Sequence, residues 1–142
     1  MEFIFIVIDM KSFFILFTLL LFNLTFINPS FGEWRLVVNG SDGNQHYIDT
    51  KYVKRENEIV YFKRLINYLK LNNGYLSEIS HIKGDCNLYR KKDIKISIYK
   101  HSMGRGQSED IDLSQYSGLT DWKYLKPKSV TYVLLNIVCK NS

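Results

Sequence analysis

Two cysteines, three histidines, an acidic cluster and a basic cluster carry most of the chemistry this chain could perform. Cys86 and Cys139 have no CxxC partner, and His46, His81 and His101 are scattered singly. Zinc needs four N or S ligands, which usually come in closely spaced pairs, so no metal site and no cofactor are expected. Glu109, Asp110 and Asp112 lack the DxDxDG spacing of a calcium loop and read as a solvated loop. No GxSxG, HExxH or GxxxxGK[ST] occurs, and those are the motifs that build a nucleophile, a metalloprotease site or a phosphate cradle. Met103-Gly104-Arg105-Gly106 holds two glycines without strand–turn–helix surroundings, so it reads as a turn. The composition therefore predicts a protein that binds and does not catalyse. Arg90-Lys91-Lys92 with Lys95 is the candidate patch for an anionic partner: a glycosaminoglycan, an anionic lipid headgroup or an acidic protein surface. The competing reading is a charged turn that keeps a sheet soluble.

The two thiols depend on the compartment, and the compartment depends on the first 32 residues. Lys11 precedes FFILFTLLLF (13–22), and Asn28-Pro29-Ser30-Phe31-Gly32 follows it. A positive start, an apolar run and a small-x-small end are the pattern of a secretory signal peptide. A spanning helix needs about 20 apolar residues, and Asn23, Thr25 and Asn28 interrupt the run before that length. The expected organisation is therefore a signal peptide over 1–32, cut after Gly32, and one domain over 33–142. Met10 followed by Lys11 would be the more ordinary start, and an uncleaved anchor is the alternative. No cysteine lies near the cut, so no lipid-attached cysteine is expected there.

Removing Lys11, Glu2 and Asp9 from the 19 basic and 14 acidic residues leaves the domain with a net charge of +6. Export disfavours nucleic acid as the partner. It also places Cys86 and Cys139 where an even cysteine count usually means a disulfide. Closing a loop of that length stabilises a fold by about 4 kcal/mol in the chain-entropy model, which matters to a domain with only one modest core. Two free buried thiols are the alternative.

The elements that must position these groups are mostly strands. Trp34 to Val38 alternates and runs into Asn39-Gly40-Ser41-Asp42-Gly43-Asn44, a turn. His46 to Asp49 is a short return strand, and the polar Thr50 to Arg55 predicts a bend or one helical turn. Glu58 to Lys70 is crowded with β-branched and aromatic residues and predicts a strand, although Tyr61, Leu65, Tyr68 and Leu69 could share a helical face. Asn72-Asn73-Gly74 marks a turn, and Tyr75 to Cys86 alternates loosely. Ile94, Ile96 and Ile98 alternate with Lys95, Ser97 and Tyr99, a strand with one dry and one wet face, as in antiparallel sheets. Residues 101–121 are Gly/Ser-rich and predict a long loop. Val130, Val133, Leu134, Ile137 and Val138 fall on one helical face after the N-cap candidate Ser129, with Tyr132, Leu135 and Cys139 as a second apolar stripe. So apolar a helix must be cradled by a curved sheet or covered by another subunit, and a bond from Cys139 to Cys86 would keep its last turn from fraying.

Trp34, His46-Tyr47-Ile48-Asp49, Gly74-Tyr75-Leu76-Ser77, Asp85-Cys86, Tyr89-Arg90, Met103-Gly104-Arg105-Gly106, Trp122-Lys123-Tyr124, Pro127-Lys128-Ser129-Val130 and Val138-Cys139-Lys140 occur in an order that resembles the bacterial surface-adhesin protein E family. The landmarks span essentially all of 33–142. His46 stands where the family's "YYID" has an aromatic. The resemblance implies an α+β fold, with an antiparallel β-sheet of about six strands packed against a C-terminal α-helix. It also implies a Cys86–Cys139 disulfide, leaves a homodimer open, and implies a role at the bacterial surface, as in adhesion to host proteins.

The functional expectation is an exported, non-catalytic binding module for an extracellular or envelope protein or another anionic macromolecule. It would be periplasmic, at the cell surface or secreted. A periplasmic small-ligand-binding protein is the alternative.

Overall fold

The computed structural model describes residues 32–116 and 118–142, so the expected signal peptide lies almost wholly outside the described residues. An antiparallel meander dominates them. β1 (Trp34–Asn39), β2 (Gln45–Glu56), β3 (Ile59–Asn72), β4 (Tyr75–Asp85), β5 (Arg90–Tyr99) and β6 (Ser108–Asp110) pair in chain order, and the two-residue β7 (Lys123–Tyr124) adds to the other end of β5. The helix α1 (Val130–Asn141) packs on one face. The α+β architecture is as expected, with the seventh strand as an addition.

Local chemistry explains the connections. The β3–β4 hairpin turns on Asn73 (φ 49°) and Gly74 (φ 86°), the positive-φ pair that matches the twist of its strands. Ser129 caps α1, its Oγ accepting from the backbone N–H of Tyr132 at 3.3 Å. The core is Ile48, Val60, Phe62 and Ile82 of the sheet against Leu134, Leu135 and Val138 of the helix. The second helical stripe is also used. Leu135 is fully buried, Tyr132 stacks on Tyr89 with ring centroids 5.0 Å apart, and Cys139 bonds Cys86 (Cα–Cα 5.8 Å). The sheet, the Tyr89 ring and the disulfide together therefore cover a helix that is apolar on two sides.

Three local expectations give way. Thr50 to Arg55 is neither a bend nor a helical turn; it continues β2 as strand. Its composition is polar, but neighbours supply ladder partners. Thr50 N–H donates to Glu33 O at 3.0 Å, and Val53, Lys54 and Arg55 pair with Phe62, Tyr61 and Val60. Irregular pairing between Ile48 and Val53 absorbs the polar residues. Second, Ile94 does not share the dry face with Ile96. Asp93 pairs with Ile82 and Lys95 with His81, which leaves Ile94 as the extra residue of a β-bulge, about half exposed at 51%. Third, the 101–121 segment is not one long loop. A 3-10 turn at Ser102–Gly104 and β6 lie within it. Ser77 Oγ donates to His101 O at 2.6 Å and accepts from Gly104 N–H at 2.9 Å. Gly104 (φ 65°) packs so closely on Ile79 that a Cβ would come within 2.6 Å of its Cδ1. The two-glycine stretch is thus a fitted plug on the sheet.

Candidate functional site

Because opposite residues of antiparallel strands share a face, the pairing registers sort every side chain to one side of the sheet. Val60, Phe62, Ile82 and Gly84 face the helix. Tyr61, Lys63, His81 and Lys83 alternate with them and face away. Lys54, Tyr61, Lys83 and Lys92 are successive partners across β2, β3, β4 and β5. One step along the strands, Lys63, His81 and Lys95 form a parallel row.

Aromatic rings hold these cations in place. Lys63 Nζ sits 4.0 Å from the centre of the Tyr52 ring, and Lys83 Nζ 5.4 Å from that of Tyr61. Trp122 is ringed by three cations: Arg90 Cζ at 4.6 Å, Lys92 Nζ at 5.5 Å and Lys83 Nζ at 6.0 Å. Each such contact is worth about 0.5–1 kcal/mol where exposed. The indole is positioned by β7, which follows it and pairs with Arg90 and Lys91, and by Leu125 N–H donating to Tyr89 O at 2.9 Å. His81 lies edge-on to Tyr52, centroids 5.7 Å apart. Burial lowers its pKa, and the neighbouring Lys63 and Lys95 lower it further.

Carboxylates answer only part of this charge. Arg90 pairs with Asp85 at 3.0 Å and Lys95 with Asp110 at 2.8 Å. Lys54, Lys63, Lys83 and Lys92 form no ion pair with any carboxylate of the described residues. The candidate patch from the sequence therefore divides. Arg90, Lys92 and Lys95 lie on this face. Lys91, opposite Gly84, turns to the helix side and pairs with the buried Asp93, where burial lowers its pKa despite that carboxylate. Sequence reasoning missed Lys54, Lys63, Lys83, Tyr52, Tyr61 and Trp122. A signal existed in the i, i+2 spacing of Tyr61 with Lys63 and of His81 with Lys83, but only the registers join those pairs into rows.

The helix side carries charge of a different kind. Arg64 donates to Glu78 at 3.2 Å and to Ser80 at 3.1 Å, and Tyr68 donates to Glu78 at 2.9 Å. Burial and the Glu78 carboxylate push the Tyr68 hydroxyl up to about 12. Beside them a cavity of about 510 Å³ is lined by Tyr68, Tyr75, Glu78, Glu109 and Tyr116 among others. Another of about 490 Å³ lies between the end of α1 and β1–β2, with Arg35, Val37, Ile48 and Ile137 in its wall. These are the places a small ligand would use. Among the described residues no cluster of three metal-ligating side chains occurs, and no helix is long and apolar enough to cross a membrane.

A family model described as surface-adhesin protein E matches residues 34–140. Solved structures of Haemophilus influenzae protein E share the fold. Crystal form II is 19% identical, with a TM-score of 0.59, 76% of this chain and 87% of that chain covered. The selenomethionine form has the same identity and TM-score, with 86% of its chain covered. A structure of protein E from non-typeable Haemophilus influenzae is 17% identical, with a TM-score of 0.53, over 77% of this chain and 85% of that one. No curated protein matches the chain.

Proposed function

The chain belongs to the surface-adhesin protein E family, and from that premise we propose that it is an exported, non-catalytic binding module that holds an anionic macromolecule outside the cytoplasm. The observation that carries the reading is the row Lys54, Tyr61, Lys83 and Lys92 beside Trp122, on the sheet face opposite the helix. With Lys63 beside them, the row's three lysines make four without carboxylate partners among the described residues on one face, a surface built to attract negative charge. Aromatic rings lie under three of them, Lys63, Lys83 and Lys92, and restrict those side chains before any partner binds. The signal-peptide reading of 1–32 supports export of the domain 33–142, and the disulfide fits an oxidising compartment.

The test uses the full chain, expressed with its own leader and exported. Fractionation should find it outside the cytoplasm and shortened at the N-terminus; full-length product retained in the cytoplasm sinks the export half. Wells coated with extracellular matrix should retain the purified protein, and Lys63→Glu/Lys83→Glu should lower retention at least tenfold, since each lysine near an anionic surface contributes about 1 kcal/mol. Undiminished retention by that variant removes the face from the function.

A further inference from the structure

We propose that the anionic partner of this face is a linear sulfated polysaccharide lying across the strands, over Tyr61 and Trp122; the inference rests on the binding-face reading above. Adjacent strands lie about 4.8 Å apart, so the row from Lys54 to Lys92 spans about 14 Å, and the Lys63–His81–Lys95 row lies about 7 Å along the strands from it. The first row carries three lysines free of ion pairs among the described residues, Lys54, Lys83 and Lys92, and the second adds Lys63 beside the Asp110-paired Lys95. This two-row grid of positive charge suits a polymer that repeats negative groups along its length and keeps them hydrated. Releasing that polymer's condensed counterions drives the binding, as it does for other dense polyanions.

The rings separate a glycan from the other polyanions. Ammonium or guanidinium groups lie over the rings of Tyr61 and Trp122. A pyranose has a C–H face that stacks on such a ring where these side chains swing aside to meet its sulfates. A lipid surface would want an apolar anchor beside the lysines. The large apolar side chains exposed beside the rows are single ones, Ile94 of the β5 bulge and Tyr124 of β7, and the exposed leucines of β3, Leu69 and Leu71, lie six and eight residues beyond Lys63, or about 20 Å and more along the strand. An acidic protein would want an apolar, lysine-poor centre to its interface, and lysines occupy that centre here.

The experiment titrates the full exported chain, disulfide intact, with heparin across a salt series. It compares chemically desulfated heparin and anionic phospholipid vesicles as competing probes. Heparin should bind with affinity that falls steeply with salt, desulfated heparin should lose about tenfold or more, and vesicles should bind no better than the desulfated chain. Lys63→Glu/Lys83→Glu should weaken heparin binding at least tenfold, while the charge-matched Lys70→Glu/Lys140→Glu changes it less than about twofold, because Lys70 lies seven residues along β3 from Lys63 and Lys140 in the last turn of the helix on the other face, and a charge beyond a Debye length is screened. Trp122→Ala should weaken heparin several-fold and leave vesicle binding unchanged. Lys83→Gln repeats the test with no new negative charge, and a melting curve on every variant excludes misfolding. Equal affinity for desulfated heparin, preference for vesicles, or equal loss in the two charge-reversal variants overturns the proposal. If heparin fails but Lys63→Glu/Lys83→Glu still loses matrix retention, the glycan is wrong and the binding face stands. If that variant keeps both, the face falls with it.

Discussion

His81 sits among charges of one dominant sign. Lys63 of β3 and Lys95 of β5 flank it, Tyr52 of β2 meets its edge, and Asp110 of β6 alone pulls the other way. Its pKa lies below the ordinary value of 6.5 because burial and those lysines oppose a further positive charge. His46 is lowered too, by burial and by Arg64. In both cases the unfolded chain takes up the proton first. Stability is therefore complete above about pH 6.5 and falls as pH drops through the interval down to the lower folded values. The melting temperature should decline between about pH 7 and pH 5, and His81→Gln should flatten part of that decline; an identical slope in the variant excludes His81 as a cause. An anion on the face has the opposite effect on the same group. It favours the imidazolium, so heparin should bind more tightly at pH 5 than at pH 7, and the gain should shrink in His81→Gln. Of these residues, the sequence displayed the histidine but not its company, because Lys63, His81 and Lys95 come from three strands.

Elements reconcile pattern and partner imperfectly. The helix was legible because its apolar positions, its N-cap Ser129 and the preceding Pro127 all agree. Most strands were legible from β-branched and aromatic crowding. The misread parts were those where neighbours override local preference. Thr50 to Arg55 is polar yet extended because β3 pairs with it, and Ile94 is apolar yet exposed because a bulge takes it out of step. Gly84 shows how close the layers lie. A side chain there would collide with Leu135 and come within 3.1 Å of Val60 Cγ2, and both residues are fully buried. Gly84→Val should destabilise the fold by about 1–3 kcal/mol through overpacking, read as a lower urea midpoint with an unchanged slope. A wild-type midpoint would mean that the helix can lift from β4 without cost.

For the whole molecule, the decisive tie is Cys86–Cys139. It joins the end of β4 to the last turn of α1 across 53 residues. The same turn is gripped from β2, where Arg55 donates to Cys139 O at 2.8 Å. Cys139→Ser should lower stability under oxidising conditions by about 4 kcal/mol or somewhat less, since native contacts such as the Arg55 bond persist. The variant should melt like the reduced wild type. A melting temperature unchanged by either treatment would show that helix packing suffices without the bond.

What the amino-acid order determined by itself was local or countable: the helix, the hairpin at Asn73-Gly74, the even pair of cysteines, the excess of lysine, and the absence of catalytic motifs. Those follow from propensity, periodicity and composition, which act over a few residues. Only the tertiary structure decided which lysines stand together. Strand period assigns each side chain to one of two faces, but register decides its neighbours. So Lys91 left the patch for a buried bond with Asp93, while Lys63 and Lys83 joined Lys92 around aromatic rings from β2, β3 and the 118–125 segment, with Lys54 opposite Tyr61.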